Sequence, residues 1–255
     1  MSESLKQRLQ AGETLFGFWH MTCSPMVAEV LGQSGYDCTM IDLEHGPGSY
    51  LDAQTSMQAL SATGCAPLVR VPFNSRVEVK RALDIGAEGI MCPAVNTVAE
   101  AEEAARACRY PPAGVRGMAP TVVRASDYGR DWQAYMERSD RDVLCICQIE
   151  TGEAVENVAE IAAVAGVDLL FVGPMDLSAD LGHPGQPDHP DVDAAMRKVE
   201  AAAKAHAVAL GAIPTPGRSS RDLQDLGYRF ILPDGDVPLL RAAAEASLAK
   251  LRGAT

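Results

Sequence analysis

The sequence has few aromatic residues, few basic residues and no long apolar run, and each shortage excludes a class of protein. Aromatic residues make up 5% of the chain, which is low for a protein that stacks sugars on aromatic rings. The net charge of −12, from 22 basic and 34 acidic residues, would repel a nucleic-acid backbone. No apolar stretch approaches the roughly 20 residues of a membrane span. We therefore expect no nucleic acid and no membrane among its partners.

The seven cysteines are an odd number and lack the spacing of a zinc site. Cys145 and Cys147 lie in the apolar run VLCICQIE, where buried small side chains are the simplest interpretation. The amino terminus, MSESLKQRLQAGE, is too polar for a secretory signal. These features predict a cytoplasmic protein.

Eight short apolar runs alternate with helix-like segments along the 255 residues. Runs without strict alternation are typical of parallel strands that are buried on both faces. The repeat indicates a closed barrel or a doubly wound sheet, and the missing G-x-G-x-x-G disfavours a dinucleotide-binding sheet. Because an α/β barrel has roughly 250 residues, we predict a (β/α)8 TIM barrel, a single domain over residues 1–255. Its strands are 15–19, 38–42, 67–71, 89–94, 143–149, 169–173, 208–213 and 228–232.

One connection, residues 109–142, is much longer than the others and shows no clear periodicity. An irregular segment of this size inside a compact domain is usually functional. We therefore expect this segment to be functional.

Polar and charged residues repeatedly follow the apolar runs at the same end. In a barrel, the carboxyl ends of the strands carry the active site. Side chains two residues apart on a strand share a face, so Gln148 and Glu150 point together and away from Cys145 and Cys147. The residues at these strand ends are Asp42, Glu44, His45, Arg70, Gln148, Glu150 and Asp176.

Glu150 and Asp176 follow neighbouring strands, and two converging carboxylates repel unless something neutralises them. A hard cation such as Mg²⁺ or Mn²⁺ prefers oxygen ligands and leaves positions open for substrate. The alternative is that each carboxylate caps the helix that follows it. The sequence pattern leaves both interpretations open.

Arg70 and His45 are the candidate charged group and base. Arg70 is a charged residue within an apolar strand, so it either forms a structural ion pair or stabilises a developing oxyanion. His45 follows two acidic residues and is either a general base or a residue with a helix-capping or surface role. His20 ends the first strand and is a weaker candidate.

The residues in this order resemble the HpcH/HpaI family, the class II pyruvate aldolases of the 4-hydroxy-2-oxoheptanedioate and 2-keto-3-deoxy-sugar-acid type. The similarity covers nearly the whole chain. It rests on D-x-E-H at 42–45, RYPP-x-G-x-RG at 109–117, Q-x-E at 148–150 and GP-x-DLS at 173–178. The combination is specific, whereas each motif alone is weak.

The resemblance implies a role for each matching residue. His45 would be the base, Arg70 would stabilise the enolate, and Glu150 and Asp176 would bind Mg²⁺, Mn²⁺ or Co²⁺. Gln148 and the backbone at Met175 and Asp176 would hold the substrate. Asp84 of one subunit would adjust the basicity of His45 in a neighbouring subunit, although Asp42 is nearer to His45 in the chain. Met175 stands where members of the family often have a small residue, so the resemblance does not identify the aldehyde substrate.

The expected reaction is aldol addition and cleavage between pyruvate and an aldehyde. Two alternatives remain: a lyase of the same superfamily that acts on a CoA thioester, and a barrel that binds without catalysis. A retaining glycosidase would leave Arg70 unexplained. The resemblance also implies a homo-oligomer, a trimer or hexamer, in which the carboxyl-terminal helix packs on a neighbour.

Overall fold

Each apolar run forms a strand in the computed structural model, which describes residues 3–253. The strands pair in parallel and in chain order, and β8 pairs with β1 to close the barrel. The predicted (β/α)8 barrel is therefore confirmed. The strands are β1 (Leu15–His20), β2 (Cys38–Asp42), β3 (Ala66–Arg70), β4 (Gly89–Cys92), β5 (Leu144–Ile149), β6 (Leu169–Val172), β7 (Ala209–Ala212) and β8 (Phe230–Gly235).

The two faces of the barrel wall carry separate hydrophobic clusters, because successive side chains of a strand point to opposite faces. Leu144 and Ile146 of β5 belong to the cluster inside the barrel. Cys145 and Cys147 belong to the cluster between the barrel and the helices, where both are buried. The predicted orientation of these cysteines is confirmed.

Twelve α-helices occur in the described residues, and most of those between strands begin at a serine or threonine. These hydroxyls accept a backbone N–H that the first helical turn leaves free. The helices are α1 (Leu5–Gln10), α2 (Pro25–Gly32), α3 (Tyr50–Leu60), α4 (Arg76–Asp84), α5 (Val98–Ala107), α6 (Trp132–Asp142), α7 (Gly152–Glu156), α8 (Val158–Ala162), α9 (Pro174–Asp180), α10 (Pro190–His206), α11 (Ser220–Asp225) and α12 (Asp236–Leu251).

The sequence predicts that the connection at residues 109–142 is irregular throughout, but the structure shows that it is only partly so. It contains a 3-10 helix at Arg124–Ser126 and the 11-residue helix α6. Only Tyr135 and Ser139 of α6 are buried. A helix with so narrow a buried stripe lacks the apolar periodicity that identifies a helix in a sequence.

The two terminal helices differ in how they meet the barrel. Leu5 and Leu9 of α1 join the interior cluster, so this helix closes the end where the strands begin. In α12, Asp236 is the one buried residue, while Leu240 and Leu251 are 65% and 83% exposed. No described helix is both long enough and apolar enough to cross a membrane.

Candidate active site

Asp42 and Arg70 end neighbouring strands and lie opposite each other in the β2–β3 register. The Arg70 guanidinium donates from Nε to Asp42 Oδ1 over 3.0 Å and from Nη2 to Oδ2 over 2.6 Å. Both side chains are buried. A two-point pair of this kind fixes the plane of the guanidinium as well as its position. The structural ion pair considered for Arg70 is present, and it leaves other N–H groups of Arg70 for a ligand.

The remaining surroundings of Arg70 come from Trp19 and Glu44. The guanidinium carbon lies 4.4 Å from the Trp19 ring centroid, within the range of a cation–π contact. Arg70 Nη1 lies 3.1 Å from Glu44 Oε2. Burial raises the pKa of the Glu44 carboxyl, and the Arg70 charge opposes that rise. Arg70 is thus held on three sides at the mouth of the barrel.

Gln148 and Glu150 project into the same region from the end of β5. Gln148 Nε2 donates to Glu150 Oε2, and the backbone N–H of Ala94 donates to Glu150 Oε1 over 2.7 Å. A Cβ at Gly173 would lie 3.0 Å from Glu150 Oε2, so the glycine makes room for this carboxylate. Burial raises the pKa of the Glu150 carboxyl, the Ala94 N–H opposes this, and the charges of Asp176 and Glu44 add to it.

Asp176 lies in the first turn of α9 and is exposed at the mouth. Neither carboxylate acts as the helix cap that the sequence left open. Thr151 caps α7 by accepting the N–H of Ala154, and α9 begins without a side-chain cap hydrogen bond. Glu150 and Asp176 therefore do not cap these helices. The charge of Asp176 contributes to the raised pKa of the Glu150 carboxyl.

His45 is exposed just beyond β2. Its backbone N–H donates to Asp42 Oδ1 over 3.2 Å, so Asp42 holds the loop and contacts the main chain of the histidine. Asp84 ends α4 and pairs with Arg116 over 2.9 Å. Within residues 3–253, no hydrogen bond or ion pair joins the His45 imidazole to Asp42 or Asp84. One copy of the chain therefore brings together the candidate metal ligands and Arg70, but leaves Asp84 apart from the histidine.

The residues at the mouth fit a hard divalent cation. Glu150 and Asp176 offer carboxylate oxygens, which Mg²⁺ and Mn²⁺ prefer. Gln148 Oε1 is buried and has no hydrogen-bond partner among the described residues, which is costly unless a ligand supplies one. The site thus provides both the charge and a free carbonyl oxygen beside the place for a cation.

Another group of possible metal ligands lies between α9 and the first turn of α10. Ligand atoms of His183, His189 and Asp191 lie within 4.8 Å of one another. The two imidazole rings stack with centroids 3.4 Å apart and planes 17° apart. Because ring-nitrogen lone pairs lie in the plane of the ring, stacked rings do not direct them at one ion. The mouth of the barrel remains the better candidate.

His20 is buried at the end of β1 and takes part in a structural network. Its ring nitrogens lie 2.9 Å from Asp236 Oδ2 and 3.0 Å from Ser56 Oγ. All three residues are buried, so they present no surface to a substrate. His20 thus ties β1 to the start of α12 and to α3.

Two residues that support the site were not identified from the sequence. In the sequence, Trp19 looks like any other apolar residue of a strand, and Ala94 falls within the predicted fourth strand, 89–94. That strand ends at Cys92, and Ala94 adopts a φ of 49°, uncommon for a residue with a side chain. The proline of GIMCPA was the available signal, since proline often ends a strand. The sequence alone does not show that the backbone N–H of Ala94 points towards Glu150.

Comparisons with known proteins support one family. The family model described as HpcH/HpaI aldolase/citrate lyase matches residues 15–236. The chain is 40% identical to a 2-dehydro-3,6-dideoxy-6-sulfogluconate aldolase of Pseudomonas putida, over 93% of this chain and 92% of that protein. It is 37% identical to a 4-hydroxy-2-oxo-heptane-1,7-dioate aldolase of Escherichia coli, over 98% of this chain and 95% of that protein.

A solved structure agrees with these similarities. It is a family protein from Burkholderia cenocepacia J2315, 40% identical in sequence, with a TM-score of 0.93. The alignment covers 98% of this chain and all of that one. With matches over most of its length in sequence and in structure, the chain belongs to the HpcH/HpaI aldolase/citrate lyase family.

Proposed function

We propose that the protein is a metal-dependent class II aldolase that adds pyruvate, as its enolate, to an aldehyde and cleaves the resulting 4-hydroxy-2-oxo acid. The observation that carries the proposal is the arrangement at the barrel mouth. A fixed guanidinium, Arg70, lies among the carboxylates Glu44, Glu150 and Asp176. Two curated relatives are named as aldolases, which supports the same carbon–carbon lyase class.

Glu150 and Asp176 would hold the cation, and Gln148 with the backbone at Met175 and Asp176 would orient the substrate. When bound, Mg²⁺, Mn²⁺ or Co²⁺ would supply Lewis-acid polarisation of the pyruvate carbonyl. The choice among the three metals is part of the proposal.

Arg70 is placed to stabilise negative charge on the enolate oxygen. Asp42 holds the guanidinium in advance, so little reorganisation is needed as charge develops. His45 is exposed at the mouth and would take the methyl proton of pyruvate, directly or through a water molecule. In the reverse direction the same imidazole would accept the hydroxyl proton of the aldol during cleavage.

The catalytic unit that we propose is a homo-oligomer, either a trimer or a hexamer. The nearly uncovered α12 and its exposed leucines favour packing against another copy. In such an assembly Asp84 of one copy would reach His45 of the next. The free cysteines are consistent with a cytoplasmic location, and we treat residues 1–255 as one domain.

Proton exchange tests the proposal without knowledge of the aldehyde. Metal-stripped protein is incubated with pyruvate in D2O, and loss of the methyl proton signal is followed by NMR before and after Mg²⁺, Mn²⁺ or Co²⁺ is added. We expect metal-dependent exchange that Glu150→Gln abolishes and His45→Ala impairs. The matched control is Glu153→Gln, an exposed glutamate three residues away.

Absence of exchange with all three metals would contradict the proposal. The family also includes citrate lyases, so the next assay would be cleavage of a CoA thioester. A protein inactive in both assays would be a barrel that binds without catalysis.

A further inference from the structure

The connection between α5 and α6 contains a buried arginine, Arg116, that none of the steps above uses. Arg116 is 1% exposed. Its guanidinium carbon lies 4.5 Å from the Tyr110 ring centroid and 5.5 Å from that of Tyr135. The two rings meet edge to face at 82°. A guanidinium enclosed by aromatic rings in this way has little freedom to turn.

Asp84 is the one charged partner of this arginine within residues 3–253. Arg116 Nη2 donates to Asp84 Oδ1 over 2.9 Å, while Nε and Nη1 have no hydrogen-bond partner there. The Arg116 side chain is fully buried and that of Asp84 is 18% exposed. A buried charge is costly unless it is paired, so the contact with Asp84 is a strong constraint on both groups. Arg116 therefore fixes the Asp84 carboxylate from the buried side, while part of the Asp84 side chain remains exposed to solvent.

The backbone of the RYPP-x-G-x-RG motif brings Arg116 to this position. The N–H of Arg116 donates to the carbonyl of Arg109 over 2.8 Å, which folds the segment back on itself. A Cβ at Gly114 would lie 2.3 Å from the carbonyl oxygens of Arg106 and Arg109, so only glycine fits. A Cβ at Gly117 would lie 2.8 Å from Cδ of Lys80 on α4. The close packing at these two glycines therefore places Arg116 beside the end of α4.

We propose that Arg116 is a positioning residue, which fixes the Asp84 carboxylate so that its exposed edge meets His45 of a second copy of the chain. This inference rests on the proposed function, in which Asp84 acts on that histidine. The charged or titratable groups that face Asp84 are Arg116, Tyr110 and Tyr135, and Lys80 lies across Gly117. In its own copy, His45 has two charged groups nearby, Glu44 and Asp42.

The direction in which the His45 pKa moves separates positioning from a simple charge effect. A carboxylate beside an imidazole stabilises the protonated ring, so Asp84→Asn is expected to lower the pKa of His45. If Arg116 acts by orienting Asp84, Arg116→Gln lowers the same pKa. If Arg116 acts only as a nearby positive charge, its removal favours the protonated ring and raises that pKa.

NMR titration of histidine labelled at Cε1 measures this without any catalytic assay, with the His45 signal assigned by its loss in His45→Gln. We expect Asp84→Asn and Arg116→Gln each to lower the His45 pKa by about one unit, and the double variant to shift it no further. Arg116→Lys keeps the charge but loses the planar fork, and is expected to lower the pKa as well. Arg8→Gln, which breaks an ion pair with Asp37 elsewhere, is the control and should change nothing.

A raised or unchanged His45 pKa in both Arg116 variants would overturn the inference. If Asp84→Asn also leaves His45 unchanged, the contact between copies is absent and the inference fails with it. Neither result bears on metal-dependent exchange of pyruvate, so failure here is distinguishable from failure of the proposed function. If Arg116→Gln does not fold, Arg116→Lys alone decides.

Discussion

Arg70 donates two hydrogen bonds to Asp42 across the ends of β3 and β2, from Nε over 3.0 Å and from Nη2 over 2.6 Å. The pair connects two strands that 23 intervening residues separate in the sequence, from 43 to 65. It fixes the guanidinium before any substrate arrives, and Trp19 covers one face of the guanidinium. Because the plane of the guanidinium is fixed, we expect a substitution of Arg70 to impair the reaction even if it preserves the charge.

Arg70→Lys is expected to lower kcat/KM for aldol cleavage by about 100-fold, because an ammonium lacks the planar fork that Asp42 holds. Steady-state kinetics with a 4-hydroxy-2-oxo acid measures the loss. Arg81→Lys is the matched control, since Arg81 lies 4.1 Å over the Tyr50 ring and is exposed outside the mouth. Near-normal turnover of Arg70→Lys would show that a point charge is sufficient.

Gly173→Ala is expected to weaken Mn²⁺ binding by about tenfold or more while the barrel stays folded. The new Cβ would lie 3.0 Å from Glu150 Oε2 and 3.1 Å from Gln148 Nε2, so the carboxylate must move. Calorimetry with Mn²⁺ measures the affinity. Gly64→Ala is the control because a Cβ there meets nothing within 4 Å. Equal Mn²⁺ affinity in the two variants would place the cation elsewhere.

Asp236→Asn is expected to reduce the free energy of unfolding by about 3 kcal/mol at neutral pH, since it breaks a buried charged network. Burial alone would raise the pKa of the Asp236 carboxyl, but hydrogen bonds from His20, Thr22 and the backbone of Met21 hold it well below its usual range. A carboxyl with a lowered folded-state pKa contributes stability above its unfolded pKa of about 3.9, and that contribution is lost as the pH falls further.

Denaturant unfolding at a series of pH values checks this dependence. The difference between wild type and Asp236→Asn should be constant from pH 7 to about pH 5 and then shrink below about pH 4. Asp225→Asn is the control, because Asp225 is exposed and its partner Arg221 is exposed too. A difference that grows in acid would contradict the role assigned to the carboxylate.

Leu240→Glu on α12 is expected to reduce the size of the oligomer. Leu240 is 65% exposed in one copy of the chain, and a charge placed in an apolar contact between copies is costly. Light scattering after size-exclusion chromatography gives the mass. Leu226→Glu is the control, since Leu226 is also exposed, at 48%, but follows the short helix α11. If the wild type has the mass of one 27.0 kDa chain, no such contact exists.

The sequence predicted the barrel because its signal is local and repeated. Runs such as CTMID and LLFVG need only their own composition to be identified as buried strands, and eight of them with helices between leave few topologies. The same regularity locates the candidate site, since Asp42, Gln148 and Glu150 lie at or just beyond the carboxyl ends of their strands. The family resemblance, which the comparisons confirm, added what local patterns do not carry.

The sequence by itself thus determined the alternation of strands and helices, the end of the barrel that carries polar residues, and the family. Only the tertiary structure decided which partner each polar group takes: Asp42 for Arg70, the N–H of Ala94 for Glu150, and Arg116 for Asp84. These contacts join residues 28, 56 and 32 positions apart. Such pairings depend on the register of a closed barrel and on backbone angles at single residues, which no local periodicity in the sequence encodes.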